Sequence, residues 1–191
     1  IAYPMSRHFR KWMVIAVAGF AAVTAWVPAP KLFHATTGKI NFRSDAPLEI
    51  IKASSDGLVG LLDTAKNEFS FRVTITSFQG FNSKTQREHF NENYMQSEKY
   101  PEASFKGKII EDVEFTKNGS YTVRAKGMLN IHGVEKERII KSTLNIKDNI
   151  FTLQSNFTVL LSDHSIPIPK VVYQKLANEI KVEVTATLQP R

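Results

Sequence analysis

Residues 68–76 read EFSFRVTIT. Phe69, Phe71, Val73 and Ile75 occupy every second position, with Glu68, Ser70, Arg72, Thr74 and Thr76 between them. Successive side chains of a strand point to opposite faces, so this segment has one apolar face and one wet face. The same alternation recurs along the chain. Ile40 and Phe42 begin it, and Leu48 and Ile50 follow Pro47. It continues through Tyr121, Val123, Ala125, Leu129 and Ile131, then Ile140, Leu144 and Ile146. Phe151, Leu153, Phe157, Val159 and Leu161 keep it, and Ile180, Val182, Val184, Ala186 and Leu188 close it. One apolar face per strand is the mark of an antiparallel sheet packed on one side.

Turn residues punctuate these runs. Asp56-Gly57, Lys117-Asn118-Gly119, His132-Gly133 and Asp148-Asn149 supply residues that tolerate left-handed backbone, as tight hairpins require. About eight strands at short spacing predict an all-β fold, an eight-stranded antiparallel β-barrel or a sandwich. Two short helices are expected to interrupt it. One covers residues 84–96, where Phe90 and Tyr94 are four apart and share a face. The other covers 169–177, with Pro169 suited to a first helical position and Val172 and Leu176 on one face.

The chain has 191 residues, enough for one well-buried domain, and no cysteine. Disulfides, thiolate metal sites and a cysteine nucleophile are therefore excluded. The formal charge is +7. Part of it lies in residues 1–29, read as a secretory signal peptide with possible extra residues before Met5. Arg7, Arg10 and Lys11 form its basic start, and an uncharged run extends from Trp12 to Val27. Cleavage is expected after Ala25, with Ala29 as the poorer site. That run is shorter than the roughly 20 residues of a comfortable membrane span. Removing the three basic residues of this leader leaves a charge of +4, too mild to call for nucleic acid. Residues 30–191 then form a single barrel domain, exported to the periplasm or secreted.

No group in the domain reads as catalytic. Asp163, His164 and Ser165 are consecutive and cannot face one another as a triad. The histidines lack the i, i+4 spacing of a metal site and are expected in turns and on the surface. Glu111, Asp112 and Glu114 read as a solvated loop, and Arg72, Lys106, Lys108, Arg124 and Lys126 as a basic outer face. No phosphate-cradling glycine loop follows a strand.

An eight-stranded barrel can fill its interior or hold one small ligand. The inward positions mix phenylalanine with Ala125, Gly127, Ser142 and Ser155, and the chain has thirteen phenylalanines. Periodicity alone leaves a dense core and a tunnel both open.

Residues 89–105, HFNENYMQSEKYPEASF, carry a family likeness in Tyr94-Met95-x-Ser97-Glu98-Lys99-Tyr100-Pro101-x-Ala103-x-Phe105. So does Gly127-x-Leu129-x-Ile131-His132-Gly133-Val134-x-Lys136. Over about residues 38–188 the chain resembles the YceI-like family. The resemblance implies a lipocalin-like barrel around a long apolar tunnel, in typically exported proteins of which some bind polyisoprenoid chains or quinones. The chain departs from the family at 34–38, His-Ala-Thr-Thr-Gly in place of Asp-x-x-His-Ser, and at Tyr94-Met95, where two aromatics are common.

The expected protein is thus a non-enzymatic carrier of an apolar chain-like lipid, a polyisoprenoid or isoprenoid quinone, requiring no cofactor and no metal. The alternative is an envelope β-domain with a filled core. Expected tunnel-lining residues are Phe69, Phe71, Val73, Ile75, Phe105, Val123, Leu129, Phe157, Val159 and Val182, with Phe90, Tyr94 and Met95 covering the tunnel or its mouth. Transient contact with a membrane surface fits an apolar ligand. The sequence leaves the oligomeric state open, a homodimer included.

Overall fold

A computed structural model describes residues 31–191. The expected leader lies outside the described residues. The alternating segments form β1 (Leu32–Asp45), β2 (Ile50–Ser55), β3 (Val59–Asp63), β4 (Glu68–Thr74), β5 (Glu102–Ile109), β6 (Gly119–Ile131), β7 (Val134–Lys147), β8 (Ile150–Leu160) and β9 (Glu179–Pro190). Each pairs antiparallel with its neighbour in the order β2-β1-β3-β4-β5-β6-β7-β8-β9, and β1 also pairs with β9. That last ladder runs from Phe33↔Pro190 to Ser44↔Ile180 and closes the sheet into a barrel.

Nine strands make eight staves. β2 and β3 lie along the same edge of β1 in one register, Ile40↔Ser55 and Leu32↔Asp63. They are two halves of a single stave, interrupted where Gly57 bridges Gly38 and Leu58 turns into the core. Asp56-Gly57 therefore marks a break within a stave and not a hairpin. Closure removes the exposed edges that an open antiparallel sheet presents.

The hairpin turns are partly as expected. His132 and Gly133 both have positive φ between Ile131 and Val134, as do Asp148 and Asn149 between Lys147 and Ile150. These are two-residue turns whose twist matches the strands. Lys117-Asn118-Gly119 is different, because a long loop separates β5 from β6. Asn118 instead clamps the neighbouring turn: its Oδ1 accepts the Asp148 backbone N–H at 2.9 Å, and its Nδ2 donates to Asp148 Oδ1 at 3.2 Å.

Two further expectations are corrected. Leu48 and Ile50 point outward, 66% and 47% exposed, while Ala53 is buried. The turn closed by the Ala46 N–H on Glu49 O shifts the parity by one, so Ile51 and Ala53 take the inner face. The second helix is only a 3₁₀ turn at Lys170–Val172, with Pro169 extended before it. Its next bonds run from Lys175 and Leu176 to Val172 O, after which Ala177 N–H is captured by Ser44 Oγ. The first helix is as expected: α1 (Lys84–His89), capped by Ser83 Oγ on the Gln86 N–H, continues as a π turn over Phe90–Tyr94.

The basic outer face is largely neutralised in place. Arg72 pairs with Glu102, Lys108 with Glu68, Lys126 with Glu137, and Arg124 with Glu111. Glu111 is no free loop carboxylate. It accepts the Arg124 backbone N–H as well as its guanidinium, and both hold its pKa below the usual carboxylate range.

Two histidines expected on the surface are buried instead. His164 is fully buried and His132 nearly so. His164 Nδ1 donates to Val134 O at 3.0 Å, and His132 Nδ1 donates to His164 O at 3.1 Å. The pair ties the turn Leu161–His164 to the β6–β7 hairpin, and Tyr100 meets His132 edge-on at 4.8 Å. His164 therefore sits in backbone bonding, with the following Ser165 left-handed. Burial pushes its pKa below the ordinary 6.5, against the opposing pull of the Val134 carbonyl and Asp163. A depressed histidine pKa means that the unfolded chain binds the proton first. Its contribution to stability is complete above about pH 6.5 and is lost as pH falls through the folded pKa. Urea midpoints should thus fall as the pH drops below about 6.5, and His164→Asn, which keeps a donor for Val134 O, should remove that decline. An unchanged decline in the variant would assign it to other groups.

Candidate functional site

The barrel has one filled end and one hollow part. At the filled end Phe33 stacks on Phe151 with ring centroids 4.0 Å apart, and Phe115 stacks on Phe151 at 5.8 Å. The β5–β6 loop brings Val113 and Phe115 into this cluster, joined by Leu144, Ile146 and Leu188. Beyond it lies a cavity of about 510 Å³. Its size is that of a site for a small ligand.

Strand parity builds the wall. Phe69, Phe71, Val73, Ile75, Phe105, Val123, Leu129, Phe157, Val159 and Val182 all line the cavity, together with Phe90, Tyr94 and Met95. All thirteen residues singled out in the sequence therefore share one space. Sequence reasoning missed others. Phe78 and Phe81 follow the 3₁₀ turn Ile75–Ser77, which breaks the period of two, so no strand pattern marks them. Leu58 and Leu62 come from the interrupted stave.

The hollow end is covered by an aromatic box. Phe90 stacks on Phe42 at 5.4 Å and meets Phe78 at 5.8 Å and Phe81 at 5.0 Å. The π turn helps to place it: the Met95 N–H reaches back five residues to Phe90 O. Met95 is buried against Ile75 and Ile166, so α1 and its extension are pinned at their far end. Tyr94 lines the cavity, and burial pushes its phenol pKa up, keeping it neutral.

Polar groups gather at the rim. Gln86 Nε2 donates to Glu49 Oε1 at 2.9 Å, and Ser83, His89 and Lys175 are further polar residues of the lining. The third charged residue, Arg72, spends its guanidinium on Glu102 outside the barrel. Inside, the polar side chains are hydroxyls. Ser142 and Ser155 face one another across β7 and β8 with their oxygens 2.5 Å apart. The arrangement offers an apolar chain a dry wall and offers an ionised group only the rim.

The model of the YceI-like domain matches residues 17–188. The chain belongs to the YceI-like family. Solved structures similar to this YceI-like chain share its fold at low sequence identity. A polyisoprenoid-binding domain from Saccharophagus degradans superposes with a TM-score of 0.71 at 13% identity, over 85% of this chain and 99% of that one. BcnA of Burkholderia cenocepacia follows at 0.65 and 14%, over 78% and 95%. The YceI protein of Campylobacter jejuni gives 0.53 and 13%, over 94% and 97%. Among curated protein sequences none matches this chain.

Proposed function

We propose that this YceI-like protein is an exported carrier that sequesters one apolar chain-like lipid, a polyisoprenoid or isoprenoid quinone, inside its barrel. The observation that carries the reading is the apolar cavity of about 510 Å³, walled by alternate residues of the strands and roofed by Phe90. A filled-core domain would have no such space. The relationship to YceI-like domains supports it, as does the fold shared with the polyisoprenoid-binding domain of S. degradans.

The mechanism is burial. Each methylene moved from water into the cavity contributes about 0.8 kcal/mol, so a few isoprene units suffice for tight retention without a charged anchor. Thirteen residues would share the contact: Phe69, Phe71, Val73, Ile75, Phe90, Tyr94, Met95, Phe105, Val123, Leu129, Phe157, Val159 and Val182. Burial raises the Tyr94 phenol pKa, so this part of the wall meets the lipid as a neutral surface. Lipid would exchange by transient contact with a membrane surface. That is supported by exposed Val171 and Tyr173, 88% and 64% accessible, on the segment that also carries the lining residues Val172 and Leu176.

Delipidated protein incubated with vesicles containing a long-chain quinone or polyprenol should remove one lipid per barrel, read by mass spectrometry of the re-isolated protein. Protein that returns without lipid would count against carriage.

A further inference from the structure

Ser142 and Ser155 stand out in a wall that is otherwise apolar at their depth. Ser155 is the third of five inward positions on β8, between Leu153 and Phe157, and Ser142 lies between Ile140 and Leu144 on β7. In the same cross-strand row stand Val123 beside Ser142 and Val184 beside Ser155. Both serines are more than nine-tenths buried, at 5% and 7% exposure, and both line the cavity.

Two hydroxyls carry two protons and four lone pairs. The Ser142–Ser155 hydrogen bond uses one proton, and neither oxygen has another partner among the described residues. One O–H is therefore left to donate, beside lone pairs that can accept, halfway down a dry channel. The fold has little use for this arrangement. Two apolar residues of similar shape would serve the wall as well, since replacing both members of a buried hydrogen-bonded pair is often nearly neutral. The unspent donor has value only to something that enters the cavity.

We infer that Ser142 and Ser155 form a hydrogen-bonding subsite for a neutral oxygen of the bound lipid, an alcohol or a ring carbonyl, and so select oxygen-bearing isoprenoids over plain hydrocarbons. The subsite fixes how deep the chain sits. It excludes an ionised head, because the neighbours of the two serines along and across the strands on the inner face, Ile140, Leu144, Leu153, Phe157, Val123 and Val184, carry no charge, and a buried unpaired charge is far too costly. Phosphorylated chains are left with the rim, where Lys175 contributes a cation to the lining.

The subsite rests on the carrier reading, and the test keeps the two apart. Phytol and phytane share one branched skeleton and differ by a hydroxyl. Each is titrated by competition with a fluorescent polyene into the wild-type protein, the double variant Ser142→Ala/Ser155→Ala, and the single variant Ser155→Ala. The double variant should bind phytol roughly three- to tenfold more weakly, the loss of one hydrogen bond, and phytane as well as before. Ser155→Ala leaves the Ser142 proton free and should keep most of the phytol affinity. Should the double alanine variant fold poorly, Ser142→Val/Ser155→Val, which fills the same wall with two apolar side chains, should show the same selective loss for phytol. Equal changes for phytol and phytane in the double variant would overturn the subsite while leaving carriage intact. Failure of the wild type to bind either compound would overturn carriage and the subsite together.

Discussion

Ala125→Trp is expected to abolish lipid uptake while the barrel stays folded. Ala125 sits at an inward position of β6, paired with Ile109 and Ile140, and its methyl lines the cavity. An indole there projects into space that is already empty. The overpacking penalty should therefore remain at or below the roughly 1–3 kcal/mol seen in filled cores. The ligand, by contrast, loses the volume that its chain needs. Quinone affinity should fall at least about a hundredfold, equivalent to about 2.7 kcal/mol, with the urea midpoint little changed. A folded variant that binds as the wild type does would show that the chain does not lie in this cavity.

Gly107→Ala should do the reverse, leaving the chemistry of the cavity alone and destabilising the wall. Gly107 and Gly127 face each other across β5 and β6. A Cβ at Gly107 would lie 2.0 Å from Lys126 O and 2.5 Å from Gly127 Cα, and one at Gly127 would lie 2.2 Å from Lys106 O. These are backbone atoms of a paired strand and cannot step aside as a flexible side chain would. A cost of about 3 kcal/mol or more is expected, at the top of the overpacking range. For a domain of this size that lowers Tm by roughly 6–12 °C. A loss under about 1 kcal/mol would mean that the two strands separate more easily than their register implies.

The barrel was legible because its outside is wet. Phe69 to Ile75, Tyr121 to Ile131 and Ile180 to Leu188 alternate with polar residues, and each run lies in the wall with the expected side inward. Parity failed where the backbone leaves the extended state. At Pro47 a turn moves the chain by one residue, so Leu48 and Ile50 face out and Ile51 faces in. After Ile75 a 3₁₀ turn resets the count, and Phe78 and Phe81 enter the cavity unannounced. The aromatic box joins Phe42, Phe78, Phe81 and Phe90 from separate segments, and no local period encodes such a meeting. His132 and His164 were misplaced for a related reason. Their burial depends on carbonyls some thirty residues away, at Val134 and His164. The segment 169–177 carries a helix-like spacing, but its Ala177 N–H goes to Ser44 instead of extending a helix. Ser142 and Ser155 were legible as inward and small. Their pairing required the β7–β8 register.

The central claim, that the cavity carries an isoprenoid chain, is tested most directly by what the protein already holds. The full chain is expressed in a host that makes isoprenoid quinones, purified without detergent, and extracted with organic solvent for mass spectrometry. One isoprenoid lipid per protein molecule is predicted, and its loss from Ala125→Trp prepared in parallel. Wild-type extracts free of lipid, from protein that also fails to take up a quinone or polyprenol, would contradict the account.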